Sequence, residues 1–556
     1  MTLNLKKHKD DLLFLPLGGS GEIGMNMNLY YMDGKWLMVD FGAGFADDYY
    51  PGVDMLVPDI SFMLEHKKDL VGLVLTHAHE DHLGAINYLW ENFNCPIYAT
   101  PFTASFLKAK IEENQGARHA NIIEVPTGGQ LKVGPFDIEM VQITHSAPEM
   151  NGLMLRTKHG NVFHTGDWKL DPTPMVGPAS DEAKIKKYGD EGILAMIGDS
   201  TNVFSQGHSG SEGDLRESLI KLVGDCKKLA VVTTFASNIA RIESIVVAAR
   251  ANNRKVVMAG RSLWRVVRAA QDAGYLLDFE DFVSEEQFSK YPREQLLLLA
   301  TGCQGEPLAA INKIASGSHR NITIKPGDSV IFSSKIIPGN EKRIFRLFNK
   351  FVRLGIETLT ERDHFVHVSG HPNIEELKRM YELVRPTISV PVHGEHVHMH
   401  EHTRLARSWG IKHAFEMDNG VVLKLAPGEP EKVAMVKAGP LGVDGTAFLH
   451  ADSEIMRMRR KMQREGIIII TLLLDDNGFV TKPVIFAPGV LDKKNDAEIF
   501  TVLEEEIEDV VKECYVLGKK QRSTERLDNL VRGVVRKQVR RETGKNPSIE
   551  ISVKFV

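Results

Sequence analysis

Cysteine is scarce. Cys95, Cys226, Cys303 and Cys514 are the only four in 556 residues, and no two of them form a Cys-x-x-Cys pair. Their scatter excludes a disulfide framework and suits a reducing compartment. Long apolar runs are also missing: the longest, Ile467-Ile-Ile-Ile-Thr-Leu-Leu-Leu474, is far too short to cross a bilayer and reads as a central strand. The first eleven residues, Met1 to Asp11, carry no apolar stretch of the signal-peptide kind. A cytoplasmic protein without a membrane partner is expected. A basic excess is lacking as well, with 68 Lys and Arg against 73 Asp and Glu and a net charge of −5. If the partner is a polyanion, positive potential must therefore be local: metal ions, helix N-termini and placed Arg or Lys.

What remains is ordinary for a globular chain, at 43% apolar and 25% charged. Its length exceeds what one core can serve, so two to four domains are expected. Against this background one passage stands out, His77-Ala-His79-Glu-Asp81-His82. Four metal-capable side chains fall within six residues, directly after the apolar run Leu70 to Leu75, which reads as a buried strand. Leu83 to Trp90 then repeats with helical spacing, so the cluster sits on a strand-to-helix turn. Neutral imidazoles and a carboxylate are the ligands a borderline-soft divalent ion such as zinc accepts.

The first 200 residues read as strands and turns with few helices, and Asp33-Gly34 signals a hairpin. From about 211 the rhythm becomes strand, helix, strand, helix, which predicts a doubly wound α/β domain. Strands return near 386–426, Pro427-Gly-Glu-Pro430 reads as the start of a linker, and the last hundred residues form a small α/β domain. Gly19-Ser-Gly21-Glu-Ile-Gly24 comes after a strand and, with Asp40, matches a dinucleotide fingerprint on paper. That fingerprint needs its glycines to open a helix, whereas Met25 to Gly34 reads as a strand running into a hairpin turn. These glycines are therefore expected to form a tight turn close to the metal site.

Four ligands in one loop hint at two metals. His145, Asp167 and His393 each lie just past the end of an expected strand, where ends can meet at one sheet edge. A carboxylate can bridge two cations, and Asp167 is the natural bridge. This series resembles the metallo-β-lactamase fold, in which Asp40 of Val39-Asp-Phe-Gly42 matches the acid that positions ligands from behind. The segment 211–370 looks like a β-CASP insertion, with Asp199, His371 and His393 matching its three motifs. Together with Gly18 to Asn26, Thr301 to Glu306 and Pro338 to Glu341, the chain is similar to the bacterial ribonuclease J family over nearly its whole length.

The resemblance implies a metallo-β-lactamase αββα sandwich interrupted by a doubly wound β-CASP α/β domain, plus a small C-terminal α/β domain. Its expected bounds are 1–210 and 371–430 for the sandwich, 211–370 for the insertion, 431–450 for a linker and 451–556 for the last domain. It implies two divalent ions per subunit, zinc or manganese. His77, His79 and His145 would hold one, Asp81, His82 and His393 the other, and Asp167 would bridge. Asp199 would support from behind, and His371 would stabilise oxygen charge or protonate the leaving 3′ oxygen, unless it merely caps the turn at Gly370-His-Pro372.

The activity implied is a metal-dependent ribonuclease, a 5′→3′ exonuclease preferring 5′-monophosphate ends with added endonuclease action, in mRNA decay and rRNA maturation. RNA-gripping candidates lie at strand-to-helix turns of the insertion: Ser237, Asn238, Arg241, Arg261, Gln304, Glu306, Ser333 and Lys335. His367, Val368, Ser369, Gly370 and His371 should line the same crevice, although Ser237 and Ser262 also suit plain helix caps. A homodimer or homotetramer and an RNA-decay complex are the implied partners. The basic stretch Lys519 to Lys545 reads as a solvated helix face. Three other readings compete: a β-CASP endonuclease cutting RNA 3′ ends or DNA, a small-molecule hydrolase, and a non-enzymatic RNA-binding subunit. A small-molecule hydrolase would have no use for an insertion of 160 residues.

Overall fold

The computed structural model describes residues 3–114, 116–279, 282–517 and 523–556. Two compact units are present, one of residues up to Gly44 with Val57–Gly439, the other of Phe45–Leu56 with Pro440–Val556. The first begins with three antiparallel strands, Leu12–Gly18, Met27–Met32 and Lys35–Val39. Asp33 and Gly34 turn between the last two with φ of 52° and 77°, the left-handed geometry that Asp-Gly supplies in a tight hairpin. These strands lie in an eight-stranded sheet that runs on through Leu70–Val74, Ile97–Ala99 and Ile122–Glu124.

A seven-stranded sheet faces it, with Phe136–Gln142, Asn151–Thr157, Gly160–His164, Ile193–Asp199 and Ile388–Val392 at its centre. Side chains of both sheets share one core, in which Phe14, Leu37 and Val74 meet Phe136, Leu153, Ala195 and Val390. Burying each such side chain contributes about 1.5–3 kcal/mol. Helices Glu182–Glu191, Ile374–Val384 and His396–Ser408 cover the outer face of the second sheet through Ile185, Met380 and Ala406. The αββα sandwich is therefore present.

Between strand Ile193–Asp199 and helix Ile374–Val384 the chain makes a long excursion. Its six strands are all parallel and place Leu296–Ala300 between Lys255–Ala259 and Ala230–Thr233, followed by Ser329–Phe332 and Glu357–Leu359. This is the doubly wound insertion. It closes on itself: the buried Glu376 carboxylate accepts from the Ser209 N–H at 2.7 Å on the way out and from the Asn373 N–H at 3.0 Å on the way back.

Two differences from the sequence reading have simple causes. Residues 431–450 are not a linker but hold strands Glu431–Met435, Pro440–Asp444 and Ala447–Leu449. The Pro427-Gly-Glu-Pro430 signal marks a hairpin turn, with Lys424 opposite Glu431. Helix Pro101–Asn114 is not marked in the sequence, because its buried face of Phe102, Thr103, Phe106, Leu107 and Lys110 has helical spacing but mixes polar residues with apolar ones. The Lys110 Nζ is paired with Glu80.

The second unit has its own sheet, in which Ile467–Asp475 pairs in parallel with Ser548–Phe555. Helices Ala497–Val516 and Thr524–Thr543 cover one face through Leu503, Ile507, Leu527 and Val535. Lys519, Lys520 and Arg522, at the start of the basic stretch, lie outside the described residues. Among the described residues no helix is long and apolar enough to cross a membrane.

Candidate metal centre

His77 and His79 leave strand Leu70–Val74, and a one-turn helix, Glu80–Leu83, carries Asp81 and His82. The strand order brings His145, Asp167 and His393 to the same edge of the sandwich. One donor atom each from His77, His79, His145 and Asp167 lie within 4.8 Å of one another, and the same holds for Asp81, His82, Asp167 and His393. Asp167 belongs to both groups. Its Oδ2 stands 3.1 Å from His82 Nε2, 3.4 Å from His393 Nε2, 3.9 Å from His77 Nε2 and 4.0 Å from His145 Nε2.

The imidazoles are oriented from behind. Asp40 accepts from the Thr76 N–H at 2.8 Å, from the Thr76 hydroxyl at 2.9 Å and from His82 Nδ1 at 2.7 Å. With its proton on Asp40, the Thr76 Oγ1 accepts from His77 Nδ1 at 3.0 Å. His145 Nδ1 donates to the Gly370 carbonyl at 2.6 Å, and His393 Nδ1 reaches the Asn26 Oδ1 at 3.1 Å. With Nδ1 donating to these acceptors, His77 and His145 turn an Nε2 lone pair toward the site.

The lone pairs of His77 and His145 compete for one proton. His77 Nε2 and His145 Nε2 both face His79 Nδ1, at 3.0 and 3.2 Å, and one nitrogen can donate to only one of them. Buried acceptors crowded in this way are satisfied by a cation. Burial holds His77 and His145 well below the usual imidazole range and brings His79 to about 4, so all three are neutral, the form in which an imidazole can bind a metal. Burial opposes charge on His82 too, but Asp167, Asp40 and Asp81 outweigh it and raise its pKa. Asp167 is kept ionised, against its burial, by His393 and His82. The donor set therefore fits divalent metal ions.

His371 lies beside both groups. Its Nδ1 is 2.8 Å from Asp199 Oδ2, and its ring stacks on His393 with centroids 5.6 Å apart. Asp199 is itself fixed by the Thr201 N–H and hydroxyl, at 2.9 and 2.8 Å. Burial opposes a proton on His371, yet Asp199 raises its pKa to about 9. Gly370 is required where it stands, since a Cβ there would lie 2.8 Å from His145 Cε1.

The RNA-gripping candidates divide. Arg241 is fully buried and ion-paired to Glu212 at 2.8 Å, and Ser333 is fully buried under the Val366 carbonyl, so neither can meet a phosphate. Asn238 caps helix Ile239–Ala251 by accepting from the Arg241 N–H, with Ser237 just outside it. Gln304 accepts from the Ile337 N–H and donates to the Lys335 carbonyl, while Glu306 accepts from the Gln304 N–H, so this pair builds its own loop. Arg261 and Lys335 are exposed. His367 keeps a buried Nδ1 without a hydrogen-bond partner. Burial, then Arg241 and Lys335, hold it neutral. Ser369 accepts from Asn202 Nδ2 at 2.7 Å.

Two supports escaped the sequence reading. Asn26 touches His82 and His393 and donates to the Asp81 carbonyl, and Asn202 joins Ser369 to the His371 carbonyl. Asn26 closes the glycine-rich turn and Asn202 comes after Asp199-Ser-Thr, but an amide carries no ligand spacing to reveal it.

A His/Asp donor set at the edge of an αββα sandwich, with a doubly wound insertion joined at the same edge, defines a metallo-β-lactamase-type hydrolase of the β-CASP group. Its parts match four family descriptions: "Beta-lactamase superfamily domain" over 50–185, "Ribonuclease J, beta-CASP domain" over 227–351, "Zn-dependent metallo-hydrolase RNA specificity domain" over 355–415, and "Ribonuclease J C-terminal domain" over 454–554. Ribonuclease J of Sinorhizobium meliloti is 40% identical over 551 residues, covering 98% of this chain and 97% of its own. The Thermus thermophilus protein of that name is 37% identical, covering 85% and 84%. Ribonuclease J 1 of Streptococcus pyogenes is 32% identical, covering 88% and 87%. The chain belongs to the ribonuclease J family. A solved structure of a protein of unknown function from Enterococcus faecalis V583 shares the fold, with a TM-score of 0.53, 14% identity, and coverage of 74% of this chain and 99% of that one.

Proposed function

We propose that the chain degrades RNA from 5′-monophosphate ends in the 5′→3′ direction and also cuts internally, in mRNA decay and rRNA maturation. As a member of its family it is a metal-dependent ribonuclease. The observation that carries the finer reading is the pair of donor groups meeting at Asp167, with the His371–Asp199 pair beside them. In this reading His77, His79 and His145 hold one ion, Asp81, His82 and His393 hold a second, and Asp167 bridges. Two divalent ions there, zinc or manganese, would make a water acidic enough to attack at neutral pH and would neutralise phosphoryl charge.

The chain's own groups do the rest. His371, with its Nδ1 proton held by Asp199, donates its Nε2 proton to the leaving 3′ oxygen. Neutral His367, exposed Lys335 and Ser369 support a 5′-phosphate pocket, since a buried imidazole nitrogen without a partner is costly unless a ligand group satisfies it. The test is a time course on 5′-monophosphorylated and 5′-triphosphorylated RNA, with mononucleotide release measured. Faster release from the monophosphorylated strand is expected; equal rates would remove the end preference.

We further propose a homodimer or homotetramer, active in the cytoplasm and within an RNA-decay complex. The open face of the second unit's sheet supports assembly, because Ile469, Val484 and Phe486 are 40%, 45% and 51% exposed there. Sedimentation of the full chain checks the state expected.

A further inference from the structure

The insertion joins the sandwich through two chain segments, and one buried guanidinium lies between them. Outgoing, Gly210 accepts from Lys169 Nζ at 3.1 Å, while Asp171 accepts from the Ser211 hydroxyl at 2.6 Å and the Glu212 N–H at 3.0 Å. The Glu212 carboxylate then takes both Arg241 Nε, at 3.0 Å, and Nη2, at 2.8 Å. On its other edge the guanidinium donates to the Ser333 carbonyl and hydroxyl, at 2.9 and 2.8 Å, and to the returning chain at the Val366 and Val368 carbonyls, at 3.4 and 3.5 Å. Ser333 Oγ adds a bond of 2.7 Å to Val366. Arg241 and Ser333 are both 0% exposed.

We infer that Arg241 is a positioning residue for RNA binding: through the Val366 and Val368 carbonyls it sets where the His367–Ser369 segment stands above the metal donors. Three physical points carry this. A planar fork with five donors spans a carboxylate on one side and three carbonyls on the other, which a single ammonium cannot do. A fully buried ion pair is weak support for stability alone, and its best-attested use is to fix one arrangement. The segment it holds runs directly into Gly370, whose carbonyl fixes His145, and into His371. His371 has its own anchor in Asp199, so the strut governs the grip more than the chemistry.

The inference rests on the reading of His367–Ser369 as RNA-gripping, and the experiment separates the two. Steady-state kinetics on single-stranded 5′-monophosphorylated RNA are measured for the full-length native chain, Arg241→Lys, Ser333→Ala and Ser369→Ala, with bound metal determined in each. Arg241→Lys should raise KM at least tenfold and Ser333→Ala about threefold, with kcat falling less than threefold and bound metal unchanged. Ser333→Ala leaves the ion pair in place, so it carries the test if Arg241→Lys does not fold. If Ser369→Ala raises KM and the other two leave it within twofold, the positioning role is overturned. If all three leave it within twofold, the gripping reading falls and takes the inference with it. A fall in kcat at constant KM also overturns it.

Discussion

His371 Nδ1 and Asp199 Oδ2 stand 2.8 Å apart across 172 residues of sequence, and this contact sets the acidity of the imidazole beside the metal donors. With its pKa near 9, His371 is protonated at neutral pH and loses its proton only in alkali. The turnover of a reaction that needs this proton should hold up to about pH 9 and fall above it. In Asp199→Asn the alkaline limb should move to lower pH, read from the pH profile of kcat. His371→Ala should lower kcat by about 10²–10⁴-fold with bound metal intact; near-normal turnover would refute the catalytic role.

Asp167 reaches both donor groups, whereas His79 reaches one. Asp167→Ala should empty both positions and His79→Ala mainly one, as counted by elemental analysis per chain. Both should abolish activity, as should a chelator, with recovery on adding zinc or manganese to the native chain alone.

Thr76 passes a hydrogen-bond chain from Asp40 to His77 without touching the donor cluster's open side. Thr76→Val keeps the shape and removes the hydroxyl, so His77 loses its fixed tautomer. Metal affinity should weaken about 10–100-fold, as it generally does when an outer partner of a ligating histidine is lost. A competition titration against a chelator checks this.

Glu139 is a pH-dependent support on strand Phe136–Gln142. Burial alone would raise its pKa, but Lys184 at 2.7 Å and Arg156 at 2.9 Å bring it from 4.5 to about 2. A carboxyl with a lower pKa folded than unfolded stabilises fully above the unfolded value, here 4.5, and the effect is lost as pH falls toward 2. Glu139→Gln should cost about 2 kcal/mol at pH 7, discounted for solvent at both cations. The difference should shrink steadily below pH 4.5 in thermal unfolding.

Legibility tracked the kind of signal each residue emits. His77 to His82 were readable because their donors are contiguous, and His145, Asp167 and His393 because each comes just after a strand. The doubly wound insertion showed in its rhythm of strand and helix. Arg241 and Ser333 were misread because sequence shows a phosphate-friendly residue after a strand but not the returning chain that buries it. Asn26 and Asn202 stayed invisible for a related reason: an amide that braces a ligand obeys distances in space, not intervals along the chain. The 427–430 punctuation misled because Pro and Gly mark a hairpin and a linker alike.

The Glu376 carboxylate, by holding Ser209 and Asn373 together, makes the insertion a bulb on a narrow stem. Length can be added to or trimmed from the bulb's far end without the stem widening, because its two feet are tied to one another by Glu376 and to Arg241 and Ser333 beside them. A lineage could thus remodel which strand it grasps while the cutting edge below stays unaltered, and a grafted bulb from a relative should seat itself wherever this carboxylate and the Arg241 and Ser333 contacts are kept.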